Sequence, residues 1–242
     1  MKSLTLFGIP AIYIFVPIAL ILPRVPVIGK FFNIINTAIH EFGHALMALV
    51  MQGKVHKIEL MRDTSGSTVT QCPTTLGNIL VSLAGYPFAA FAGWLCCYFN
   101  EVGYQQGLII GLSILMIVML IFWIRNWYGL VWIILFCGLN GWLLYTDNQQ
   151  YIHIAALFYA IVVMIEAISS TFILFVLSIK DSQSAGDATN LAKFTHIPAV
   201  IWAILFLAFS CWMGYQDPVL FPEAHQTTAQ HGSFWHYIRP AV

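Results

Sequence analysis

The chain has 242 residues, 60% of them hydrophobic and only 8% charged, with a mean hydropathy of +0.81. A soluble domain carries about 25% charged residues, so composition excludes an ordinary soluble fold and points to one compact helical domain in a membrane. Ten basic residues balance ten acidic ones, which leaves no electrostatic basis for binding nucleic acid.

The first apolar stretch, 4–22, has no small-residue cleavage signature and reads as a retained span rather than a signal peptide. Pro10 and Pro17 lie inside it, and Pro23-Arg24-Val25-Pro26 ends it. The next span, 31–51, carries the sequence His40-Glu41-Phe42-Gly43-His44. His-Glu-x-x-His on a helix is a zinc-protease signature. Residues four apart share a helix face, so His40 and His44 can both reach one metal ion. Glu41 falls beside that ion, where it can act as general base on a zinc-activated water. The motif is expected near mid-membrane, where ionisable residues are costly and read as functional.

Gly53-Lys54-Val55-His56-Lys57-Ile58-Glu59-Leu60-Met61 alternates apolar and polar residues, as a half-exposed strand does. Asp63-Thr64-Ser65-Gly66 is turn chemistry, and Ser67-Thr68-Val69-Thr70-Gln71 has the β-branched content of a return strand. A short β-hairpin after the motif helix is expected. A third span, 76–99, contains Gly85, Ala89, Ala90 and Gly93, small residues that let helix backbones approach closely. The motif helix is its expected partner.

Further spans are expected at 106–124, 128–145, 151–179 and 197–213, which makes about seven in an all-α polytopic membrane protein. The sixth is long enough to tilt or break, and it contains Glu166. A helix is expected to start near Asp187 and to be interrupted at Pro198. The domain is expected to occupy 1–215, followed by a flexible tail, 216–242, with His225, His231 and His236. Of the five cysteines, Cys72, Cys96, Cys97, Cys137 and Cys211, none shows paired metal spacing, and no disulfide framework is expected.

Charge sets the expected orientation. With the N-terminus cytoplasmic, Lys2, Lys54, Lys57, Arg62, Arg125, Lys180 and Lys193 fall inside; only Arg24, Lys30 and Arg239 fall outside. The hairpin and the Asp187 loop then share the cytoplasmic side.

These residues resemble the site-2 protease family of intramembrane zinc metallopeptidases, most closely its small bacterial branch. The similarity runs through the His40 to Ala45 motif, Gly53-Lys54-Val55 with Gly66-Ser67-Thr68, Ala84-Gly85-Tyr86, Arg125-Asn126 with Gly129, and Gly186-Asp187-Ala188 with Leu191, Ala192 and Thr195. The resemblance implies a bacterial inner-membrane peptidase, with one zinc ion per chain, that cuts other membrane proteins within or near a transmembrane segment. The chain departs from better-known members in having no Asn-Pro-Asp-Gly motif.

A catalytic zinc site wants three protein ligands and a water. His40 and His44 supply two. Asp187 is the first choice for the third, matching the small-branch pattern, with a helix cap as its alternative role. Glu166 is the rival and His196 a weaker option. Gly66, Ser67 and Thr68 are expected to line a strand edge that binds unwound substrate. Arg125 and Asn126 are expected to hold substrate or the metal-site helices, or to anchor the chain at the membrane surface. Two other classes remain open at this point: a pseudoprotease that binds membrane clients without cutting, and a proton-coupled transporter using these ionisable residues as a relay.

Overall fold

The computed structural model describes residues 5–6, 9–10, 12–21, 25–217 and 219–220. The order of elements is β1 (Thr5–Leu6), β2 (Ile9–Pro10), α1 (Ile12–Ile21), α2 (Ile28–Val50), β3 (Lys54–Leu60), β4 (Gly66–Gln71), α3 (Thr75–Glu101), α4 (Gln105–Phe122), α5 (Trp127–Tyr145), α6 (Gln149–Lys180), α7 (Gly186–Thr195) and α8 (Ala199–Tyr215). Among the described residues, α3, α4, α5 and α6 are long and apolar enough to cross a bilayer. The chain is a predominantly helical membrane protein with a hairpin directly after the motif helix.

Length and composition alone do not reach the expected seven spans. The α1 helix has ten residues, about 15 Å at the helical rise, half the thickness of a hydrocarbon core. Pro10 bears on where this helix begins. It has no amide hydrogen and biases its predecessor out of the helical region, and here it belongs to the two-residue strand β2 paired with β1. The α2 helix has 23 residues, but its histidines, glutamate and asparagines dilute its hydropathy. The α8 helix is apolar but has only 17 residues. The sixth expected span runs unbroken as the 32-residue α6. Residues 221–242, with His225, His231, His236 and Arg239, lie outside the described residues, as do Lys2 and Arg24. The first residues of the expected flexible tail are held in place. Trp94 donates its indole N–H to the Gln216 carbonyl at 3.0 Å, and Asp217 accepts from the amides of Val219 and Leu220.

The small residues of α3 meet two partners. At its middle α3 packs on α2, where a Cβ on Gly43 would stand 2.8 Å from that of Phe88. Further on it packs on α6, where a Cβ on Gly93 would stand 3.0 Å from the Met164 Cα. A buried polar chain joins α4, α5 and α6: Tyr159 donates to Asn140, which donates to Ser113, each at 2.9 Å.

The β3–β4 hairpin is antiparallel, pairing Lys54 with Gln71 and Leu60 with Gly66, with an irregularity between Val55 and Lys57. Its turn is fixed by Asp63, which accepts from the Ser65 amide and hydroxyl at 3.1 and 2.6 Å. Those bonds hold the exposed Asp63 carboxyl below its ordinary pKa. The hairpin doubles back along α2, and Thr37 donates its hydroxyl to the Thr64 carbonyl at 2.8 Å. The outer edge of β3 is closed by the α4–α5 joint. The Ile58 amide donates to Trp123, and the Arg125 amide donates to Ile58. Trp123 also lies against Phe42, ring centroids 6.1 Å apart. The motif is thus central along α2, and Phe42 within it meets the joint of α4 and α5.

Candidate metal centre

His40 and His44 lie one helical turn apart on α2 and face α3. Their Nε2 atoms are 3.0 Å apart, and each is 3.2 Å from Oδ2 of Asp187. Four bonds of about 2.05 Å in tetrahedral geometry would hold ligand atoms about 3.3 Å apart. The three side chains are therefore spaced as a zinc ion needs them, to within a few tenths of an ångström. The donor set, two imidazoles and one carboxylate, is that of catalytic zinc sites, which leave a position open.

Two features of α3 shape this centre. His44 turns Nδ1 to the Val81 carbonyl at 2.7 Å. With Nδ1–H as the donor, Nε2 keeps its lone pair for a metal, the usual outer-shell arrangement of a ligating histidine. Gly85 faces the two rings, and a Cβ there would lie 2.5 Å from His40 Cε1 and 2.6 Å from His44 Nε2. Only a glycine leaves that space open. Beside it the Tyr86 ring packs edge-on to His40 at 4.4 Å.

The α7 helix delivers Asp187. Ala185, Ala188 and Leu191 pack into an apolar cluster with α6 and α8. The Thr195 hydroxyl accepts from the Trp202 indole at 3.2 Å, and Thr189 donates to the Ser182 carbonyl. Ala185 stands at the N-cap, so Asp187 lies within the first turn and is free of a capping role. Among the described residues, His40, His44 and Asp187 form the group of three metal-ligating side chains with atoms within 4.8 Å of one another. Glu166 is outside it, with a buried Oε1 that has no hydrogen-bond partner. His196 ends α7 in the left-handed conformation and is also outside.

Glu41 is buried and opens onto the same cavity of about 550 Å³. Its Oε2 accepts from the Thr68 hydroxyl at 2.6 Å.

The family profile described as peptidase M50B-like matches residues 11–216. The chain belongs to this family. It is the site-2 protease family, whose members are zinc metallopeptidases. No curated protein and no solved structure matches the chain.

In this M50B-like chain, Gly66, Ser67 and Thr68 line the cavity, and Arg125 and Asn126 do not. The Arg125 guanidinium donates to the carbonyls of Phe122 and Ile124, closing the end of α4. The Asn126 side chain accepts from the Leu60 amide at 3.2 Å and donates to the Leu60 carbonyl at 2.6 Å. Both therefore act on the hairpin and its joint. Several cavity residues went unnoticed in the sequence. Asn36 was within reach, because 36, 40 and 44 follow one helix face, and Asn190 follows Asp187 by three. The Val81 carbonyl leaves no side-chain signal.

Proposed function

We propose that this chain is a zinc metalloendopeptidase of the site-2 type, hydrolysing a peptide bond in or near a transmembrane segment of a membrane-protein substrate. The observation that carries this is the 3.0–3.2 Å triangle of His40, His44 and Asp187, with Glu41 on the same cavity. Bound by those three residues, zinc would polarise a peptide carbonyl and acidify water. Glu41 takes the proton of the attacking water on its carboxylate and returns it to the departing amine. The tetrahedral species forms and collapses without a covalent enzyme intermediate.

A transmembrane helix hides its carbonyls in hydrogen bonds, so substrate must unwind locally before it reacts. The β4 strand supports a receiving edge. The outer edge of β3 is closed by the α4–α5 joint, whereas among the described residues β4 pairs only with β3. An unwound segment adding to β4 would run past Gly66, Ser67 and Thr68 into the cavity. We place the chain in the bacterial inner membrane as one domain of about seven spans, with a cytoplasmic N-terminus and its hairpin and α7 on the cytoplasmic side. The exposed Arg125 lies at the joint level with the motif, which favours cleavage toward that end of the substrate span.

The test is cleavage of a membrane-inserted reporter helix by the purified chain in liposomes. Glu41→Gln is expected to lower the rate at least about 100-fold while keeping zinc and reporter binding. Reporter binding without cleavage by the wild type would instead favour a client-binding pseudoprotease.

A further inference from the structure

The Glu41 side chain leaves α2 and ends against the hairpin strand β4. Its Oε2 accepts the Thr68 hydroxyl at 2.6 Å, and the same hydroxyl lies 3.2 Å from the Glu41 carbonyl. A hydroxyl has one proton to give, and the shorter contact, to an ionised acceptor, is the stronger bond. Gly66, two residues earlier and on the same face of the strand, completes the pocket. A Cβ on Gly66 would stand 2.5 Å from Glu41 Oε1 and 2.6 Å from its Cγ. The strand is thus moulded around the carboxylate at two consecutive inward positions.

The position of Thr68 is set by contacts that do not involve Glu41. Thr37 holds the turn through the Thr64 carbonyl, and the α4–α5 joint holds β3 through Ile58 and Leu60. Glu41, by contrast, reaches β4 through a side chain of several rotatable bonds, so its carboxylate takes its direction from what it meets there. The fixed partner orients the mobile one.

Resting on the peptidase reading above, we propose that Thr68 is the positioning residue for the general base: its hydroxyl holds Oε2 and so fixes the direction of the carboxylate at the cavity it shares with the three ligands. Thr68 also lies on the strand offered to the substrate.

The test compares Thr68→Val, which keeps shape and strand preference but removes the hydroxyl, with Thr68→Ser, which keeps the hydroxyl. Full-length protein in detergent is assayed for zinc content, for the isotope-edited infrared band of the Glu41 carboxylate without metal, and for cleavage of a membrane-inserted reporter helix. In Thr68→Val, kcat is expected to fall about 10- to 100-fold, with KM and zinc content unchanged and the carboxylate band shifted. Thr68→Ser is expected to restore most of kcat and the wild-type band. A Thr68→Val enzyme with wild-type kcat overturns the proposal, as does a Thr68→Ser enzyme as slow as Thr68→Val. So does a loss confined to KM, which would make Thr68 a substrate contact. A wild type that holds zinc but gives an unshifted band in Thr68→Val overturns Thr68 alone, whereas a wild type that holds no zinc overturns the peptidase reading with it.

Discussion

Gly85 approaches His40 so closely that a Cβ on it would lie 2.5 Å from the imidazole Cε1 and 2.7 Å from Nε2. Real Cβ atoms are essentially never found under 3.0 Å from a neighbour, so Gly85→Ala must displace either α3 or both histidine rings. Zinc affinity is expected to fall at least about 10-fold, as read by competition with a chelating dye. Wild-type affinity in Gly85→Ala would mean that the rings are not held where the metal needs them.

Gly66→Ala should separate metal binding from chemistry. The added methyl collides with the Glu41 carboxylate and with the Thr37 methyl, 2.8 Å away, and the three atoms nearest to it belong to neither His40, His44 nor Asp187. Zinc content is expected to stay at the wild-type level while cleavage drops by about 100-fold or more, the scale of a misplaced general base. Parallel loss of zinc in this variant would contradict the division of labour between hairpin and ligands.

Asn126 and Arg125 are neighbours with unequal tasks. Asn126 satisfies both backbone groups of the buried Leu60, and Gly129 makes room for it, since a Cβ there would lie 2.8 Å from its Oδ1. Removing the amide in Asn126→Ala orphans two buried polar groups, at about 1–3 kcal/mol each. Arg125 is exposed and caps carbonyls at the end of α4, where water can replace it. Asn126→Ala is expected to lower the melting temperature clearly more than Arg125→Ala. Equal effects, or a larger loss in Arg125→Ala, would count against the hairpin anchor.

Acid should release the metal. His40 and His44 can ligate only through unprotonated Nε2 atoms, so zinc competes with protons at both rings. The apparent zinc affinity is expected to weaken as pH is lowered and to recover on return to neutral pH. A chelator should remove activity that added zinc restores. A pH-independent affinity would exclude imidazole ligation.

Much of this arrangement was legible in the residue order. The spacing of His40 and His44, the alternation from Gly53 to Met61 and the turn chemistry at Asp63 are local signals, and local geometry fulfils them. Hydropathy runs smoothly across Pro10, so the residue order does not show the step from β2 to α1 there. The seating of the hairpin is hidden for another reason. The bonds that seat the hairpin, Thr37 of α2 to Thr64 and Asn126 before α5 to Leu60, are tertiary, and neither partner advertises the other. For Asp187, the order of weak motifs suggested a ligand, and the seating of α7 against α3, α6 and α8 explains how it reaches two histidines some 145 residues earlier.

The most direct measurement is zinc per chain in detergent-purified protein, by elemental analysis, for wild type, His40→Ala, Asp187→Ala and Glu166→Ala. About one zinc in the wild type and in Glu166→Ala is expected, with loss in His40→Ala and Asp187→Ala. No zinc in a wild type offered the metal, or zinc kept by Asp187→Ala and lost from Glu166→Ala, would contradict the His40, His44 and Asp187 centre.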